Sequence, residues 1–141
     1  MRRGYTLVET IAVLAIIGIL CGIAAPRLAR MLDSAAVTEA ANHIAAAHRR
    51  ARIAAIMRGG VTVLTIDSTA IVIQPRDDTT TLWREAGPAA LGVTLVGPPR
   101  TVMFSPVGVA LGASNATYTV TRNDARRAVV VSRLGRVRMT P

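Results

Sequence analysis

The chain has 141 residues, about half of them apolar, and carries 17 arginines and no lysine against 8 acidic residues, for a formal net charge of +9. A single cysteine, Cys21, leaves no material for a disulfide framework or a zinc cluster. Gly59-Gly60 lacks the Lys and Ser/Thr that a phosphate-cradling loop needs, so composition points away from nucleotide enzymes and metalloenzymes, and no cofactor is expected.

The first element is a basic leader, Arg2-Arg3 and then Gly4, followed by an apolar run from Tyr5 to Pro26 broken by one carboxylate, Glu9. As α-helix, those ~22 residues reach ~33 Å, enough for a ~30 Å hydrocarbon core. An acid near the bilayer centre costs ~2.5 to 3.5 kcal/mol and less near the interface, so Glu9 asks for a partner. A cation from a neighbouring chain is one answer; snorkelling to the headgroups is the other. A secretory signal would lack the acid and end in an A-x-A-like site. A lipoprotein leader would place a small residue before its cysteine, whereas Leu20 precedes Cys21. A plain anchor explains the length but not Glu9. Charge does not orient the segment, since Arg2 and Arg3 on one side balance Arg27 and Arg30 on the other.

Gly4-Tyr5-Thr6-Leu7-Val8-Glu9 followed by VLAIIGIL resembles the N-terminus of type IV pilin-like proteins. Tyr5 stands where Phe is commoner and Thr10 where an apolar residue is commoner; a Thr hydroxyl can bond back to the preceding turn. The resemblance implies that a prepilin peptidase cuts between Gly4 and Tyr5 and that Tyr5 is then N-methylated. It implies that residues 1–4 are the leader, that 5–26 are the transmembrane and assembly helix, and that Glu9 pairs with the new amine of an adjacent subunit. Such a pair is stronger in lipid than in water. The resemblance also places the chain in the bacterial inner membrane, single-pass, with a cytoplasmic N-terminus and a periplasmic globular part, before it enters a pilus or pseudopilus.

Pro26 removes one helical hydrogen bond and predicts a kink, not an end, because the period resumes. Leu28, Leu32, Ala36, Ala40, Ile44, Ala47, Ala51 and Ala54 recur at about 3.6 residues, which predicts an amphipathic helix over 27–60 with an Ala-rich buried stripe. Gly59-Gly60 supplies its stop.

Beyond Gly60, β-type runs are predicted at 61–66, 70–73, 93–96, 101–104, 118–121, 128–132 and 136–139, each bounded by turn residues. The first two form a hairpin. Val129 to Val131, apolar without alternation, reads as a central strand covered on both faces. Residues 75–92 read as a loop anchored by Trp83. The expected fold is α+β, one long helix packed on a small antiparallel sheet.

Two C-terminal stretches extend the resemblance: Phe104-Ser105-Pro106-Val107-Gly108, and Arg126 through Arg138 with its Ser132-Arg133-Leu134-Gly135-Arg136 turn. They are similar to the globular domain of GspH-type pseudopilins and FimT/FimU-type minor pilins, here residues 61–141. A minor subunit of a type IV pilus or type II secretion pseudopilus, at the tip, is what this implies. Its partners would be other pilin or pseudopilin subunits, the peptidase and the inner membrane.

Six arginines after residue 121 (Arg122, Arg126, Arg127, Arg133, Arg136 and Arg138) face one acid, Asp124. Arg136 and Arg138 share a strand face, and Arg133 lies one turn away. Arg126, Arg127, Arg133, Arg136 and Arg138 are therefore candidate anion ligands, because a guanidinium fork donates twice to a phosphate. Within the resemblance, a Gly-Arg-x-Arg ending is associated with minor pilins that bind DNA during uptake. Double-stranded DNA, held through backbone phosphates, is then the alternative partner; pairing with acids of a neighbouring pilin or solvation of an edge strand competes with it. His43 and His48, five apart on a helix, make a poor metal pair and read as decoration of the polar side. Asp77-Asp78 reads as a solvated loop. No catalytic group is expected.

Overall fold

A computed structural model of the chain describes residues 6–112, 116–132 and 135–140. Helix α1 runs Leu7–Arg58 and continues through Pro26. Thr6 caps its start: the hydroxyl oxygen accepts the Glu9 N–H at 3.3 Å, and the Thr10 hydroxyl bonds back to the Thr6 carbonyl at 3.2 Å. At the other end Gly59 takes a left-handed conformation (φ 62°), and the Gly60 N–H donates to the Ala55 carbonyl at 3.3 Å, a helix stop that a residue with a Cβ makes poorly. The chain forms two compact units that meet between Leu32 and Asp33. In the first, the apolar side chains from Leu7 to Leu32 are exposed.

The second unit has nine antiparallel strands among its described residues: β1 (Thr62–Ile66), β2 (Ala70–Pro75), β3 (Trp83–Ala86), β4 (Thr94–Val96), β5 (Arg100–Phe104), β6 (Ala110–Leu111), β7 (Ala116–Arg122), β8 (Ala125–Val131) and β9 (Val137–Thr140). They build two sheets and not the one expected: a five-stranded sheet ordered β3-β2-β1-β5-β6 and a four-stranded sheet ordered β4-β7-β8-β9. The β1–β2 hairpin is present as read, with Leu64 opposite Ile73. Residues 75–92 are not all loop; they contain β3 and a short 3-10 helix, Pro88–Leu91. A strand of four residues with two charges (Trp-Arg-Glu-Ala) gives too few alternations to register as a pattern.

Both sheets lie against the helix, and this explains its composition. Val37, Ala40, Ala41, Ile44, Ala45, Ala47, His48, Ala51 and Ala55 are buried. At roughly 100° per residue they cover an arc of about 160°, wider than a single sheet would occupy. Alanine lets two sheets approach one helix closely. Of the stripe read from the sequence, Ala40, Ile44, Ala47 and Ala51 are in the core, whereas Ala55 replaces Ala54 and the two leucines, Leu28 and Leu32, are exposed.

Strand β8 sits between β7 and β9 but is not covered on both faces. Val129 and Val131 are buried while Val130 is 37% exposed, because the helix covers only the inner face. Ala128 and Val130 therefore share the outer, open face with Arg126. The inner face also carries Tyr118 and Val120 of β7, both buried.

Candidate assembly segment and basic surface

In the N-terminal unit, Glu9 occupies the third position of α1, next to a positive helix end that favours a carboxylate. Thr6-x-x-Glu9 has the spacing of a capping box, which gives Glu9 a structural role within its own chain. Among the described residues no cation lies within ion-pair distance of Glu9. Gly4 and Tyr5 lie outside the described residues. The first part of α1 is apolar and long enough to cross a membrane.

The C-terminal arginines part company. Arg122 is engaged inside the fold: its Nε donates to Asp33 Oδ1 at 2.8 Å and its Nη1 to the Leu91 carbonyl at 2.8 Å. Arg127 points inward, its Nε 3.2 Å from the Thr38 hydroxyl on the helix. Arg126, one residue earlier, lies on the opposite face and is exposed. Arg138 pairs across from Val130 and so shares the outer face with Arg126, four positions along β8, roughly 14 Å away. Arg136 precedes β9 and alternates onto the face of Arg138; both are exposed. Arg133 lies outside the described residues.

The two C-terminal motifs meet at a residue the sequence did not single out. Arg52 of α1 runs across both turns: its Nε lies 3.1 Å from where a Cβ on Gly108 would stand, and its Cδ 3.7 Å from the same position on Gly135. Gly108 adopts φ +78°, and an added Cβ there would come within 2.7 Å of the Ile56 side chain. The Pro-x-Gly turn is thus a close approach of loop to helix.

His48 is not decoration of the polar side. It is 2% exposed, wedged between Phe104 of the five-stranded sheet, ring centres 6.1 Å apart, and Tyr118 of the four-stranded sheet, 5.3 Å apart. Its alternation with alanines on the buried arc carried the signal; residue type masked it. Burial lowers its pKa to about 4 and raises that of Tyr118 to about 12. His43 Nδ1 lies 3.2 Å from a Glu85 carboxylate oxygen on β3, and its Nε2 lies 3.9 Å from one of Glu39. Trp83 holds its strand to the helix, with the Arg50 guanidinium 4.6 Å above its ring. Among the described residues no group of three His, Cys, Asp or Glu side chains is placed to hold a metal ion.

The family described as Type II transport protein GspH matches residues 40–135, which include strands β1 to β8 and the glycines of both turns, and the Prokaryotic N-terminal methylation motif matches residues 1–25. This chain is a type IV pilin-like protein of the GspH family. The pilin-like protein PilA1 of Thermus thermophilus is 30% identical to it over 98% of both chains. Two crystal structures of the Pseudomonas aeruginosa type IV minor pilin FimU share its fold. One has a TM-score of 0.63 at 18% identity, over 74% of this chain and 88% of FimU. The other has a TM-score of 0.61 at 17% identity, over 74% and 92%. Proteins of this pilin-like family are structural subunits that assemble with other pilin subunits. In this chain the match to the methylation motif, residues 1–25, coincides with the apolar, span-length start of α1.

Proposed function

We propose that the chain is made as a bitopic precursor with its N-terminus in the cytoplasm and its two-sheet domain in the periplasm. It is cut after Gly4, methylated at Tyr5, and inserted at the tip of a pilus or pseudopilus. It is a substrate of the peptidase and a structural part, not an enzyme. The observation that carries this reading is Glu9, an acid with no cation in reach among the described residues, at the third position of an otherwise apolar exposed helix. A carboxylate in that setting is answered by the amine that cleavage creates on a neighbouring subunit. The uptake reading, with DNA on the arginines, has less beneath it: of its candidate ligands, Arg127 is used inside the fold and Arg126 stands roughly 14 Å from Arg138.

Intact mass of the protein recovered from membranes tests the proposal. The mass should fall by Met1 to Gly4 and rise by one methyl group. An untrimmed N-terminus in cells that hold an active prepilin peptidase would sink it.

A further inference from the structure

The outer edge of β9 is a free sheet edge, since among the described residues β9 pairs only with β8. The Ser132 N–H donates to the Arg136 carbonyl at 2.9 Å, so Ser132 and Arg136 are a hydrogen-bonded pair. By the alternation of an antiparallel ladder, Val130 and Arg138 are the next such pair, and Arg138 spends its backbone groups on β8. Val137 and Met139 then aim their N–H and C=O groups outward. An arriving strand would hydrogen-bond at these two residues and set its own side chains closest to Arg138 and, two positions back, to Arg136.

We propose that this edge accepts an extended segment of another subunit that carries carboxylates at alternate positions. The proposal rests on the reading that the chain works among other subunits. Charge complementarity selects the occupant: Arg136, just before β9, and Arg138 within it are exposed on the same face at this edge, and β9 contains no acid. The same arginines disfavour a second copy in two registers. Antiparallel pairing of β9 with itself, centred on Val137 or Arg138, sets an arginine of one copy against an arginine of the other, which is destabilising. A guarding role alone would ask only for charge. Here Met139, on the inner side of the same edge, is left 42% exposed, an apolar side chain that an added strand covers.

The test uses the full chain in detergent with three probes: a short peptide alternating Glu and Val, the same peptide with Lys for Glu, and a short DNA duplex. The Glu peptide should bind about tenfold tighter than the Lys peptide and slow amide exchange at Val137 and Met139. Arg138→Glu should invert the preference. Met139→Pro deletes an outward donor without touching the β8 ladder and should abolish binding. The proposal is overturned if Met139→Pro binds like the parent, if exchange at Val137 and Met139 does not change, if the duplex is preferred, or if copies associate through β9. The N-terminal mass, read on the same preparation, reports separately on the processing reading, so a correctly cut chain that ignores the acidic peptide sinks only this proposal.

Discussion

Asp33 and Arg122 close the fold at the point where α1 enters the two-sheet domain. The carboxylate, 13% exposed, accepts Arg122 Nε on one oxygen at 2.8 Å and the Asn123 side-chain amide on the other at 2.7 Å. Asn123 holds a left-handed conformation at the β7–β8 turn, φ 49°. One acid therefore fixes both the turn and its arginine onto the helix. Asp33→Ala leaves a half-buried guanidinium with only the Leu91 carbonyl and should cost about 2 kcal/mol. Thermal unfolding of the full chain in detergent measures it, and a change under half a unit of that scale would show the clamp to be ornamental.

That clamp was not legible in the sequence, and the reason is physical. Asp33 and Arg122 are far apart in the chain, and each is an ordinary surface residue by type. What could be read was whatever local chemistry repeats or punctuates: the N-terminal motif, the 3.6-residue period, the Gly59-Gly60 stop and the β1–β2 hairpin. The second sheet escaped because β4 crosses into it between β3 and β5, so strand order in space is not strand order in the chain. The basic cluster was half legible. Alternation placed Arg136 and Arg138 together, but only tertiary structure sends Arg127 inward to Thr38 and Arg122 to Asp33.

His48 makes stability depend on acidity. Its folded pKa, about 4, lies below the ordinary 6.5, so between these values the unfolded chain binds more protons and stability rises with pH. The native state is fully supported above about pH 6.5 and loses about 3 kcal/mol as pH falls to about 4. His48→Leu should flatten this slope while leaving neutral-pH stability no lower. Urea titrations of both proteins across that window decide the matter; equal slopes would remove His48 as the cause. Asp67 and Asp78, whose carboxyls are lowered by hydrogen bonds from Ser68 and Thr69 and from Thr80, lose their contribution only below the ordinary carboxylate range and do not confuse the reading.

Gly87 is a steric requirement without a conformational one. Its φ of −77° suits any residue, yet a Cβ would stand 2.4 Å from the Ser68 carbonyl oxygen and 2.7 Å from the Ala70 nitrogen and Asp67 oxygen. All three are backbone atoms of the β1–β2 turn, which Gly87 and Ala89 hold by N–H donation to Thr69 and Ser68 at 2.9 Å. Gly87→Ala should therefore cost about 3 kcal/mol. Gly60→Ala, whose Cβ meets only the Arg58 carbonyl at 4.0 Å, should stay within about 0.5 kcal/mol of the parent. Comparable losses at both glycines would refute the close approach.

Glu9 carries two arguments that one pair of variants separates. As the third residue of α1, opposite the Thr6 hydroxyl, it suits a capping box, and a Gln there caps equally well. As the acid that answers a neighbour's amine, it needs its charge. Glu9→Gln keeps the cap and deletes the charge, while Glu9→Ala deletes both. If the ion pair joins subunits in lipid, both variants should reach the membrane and both should fall about tenfold in the fraction recovered with sheared filaments. If Glu9→Gln incorporates like the parent and only Glu9→Ala fails, the carboxylate is a helix cap and the inter-subunit pair does not exist.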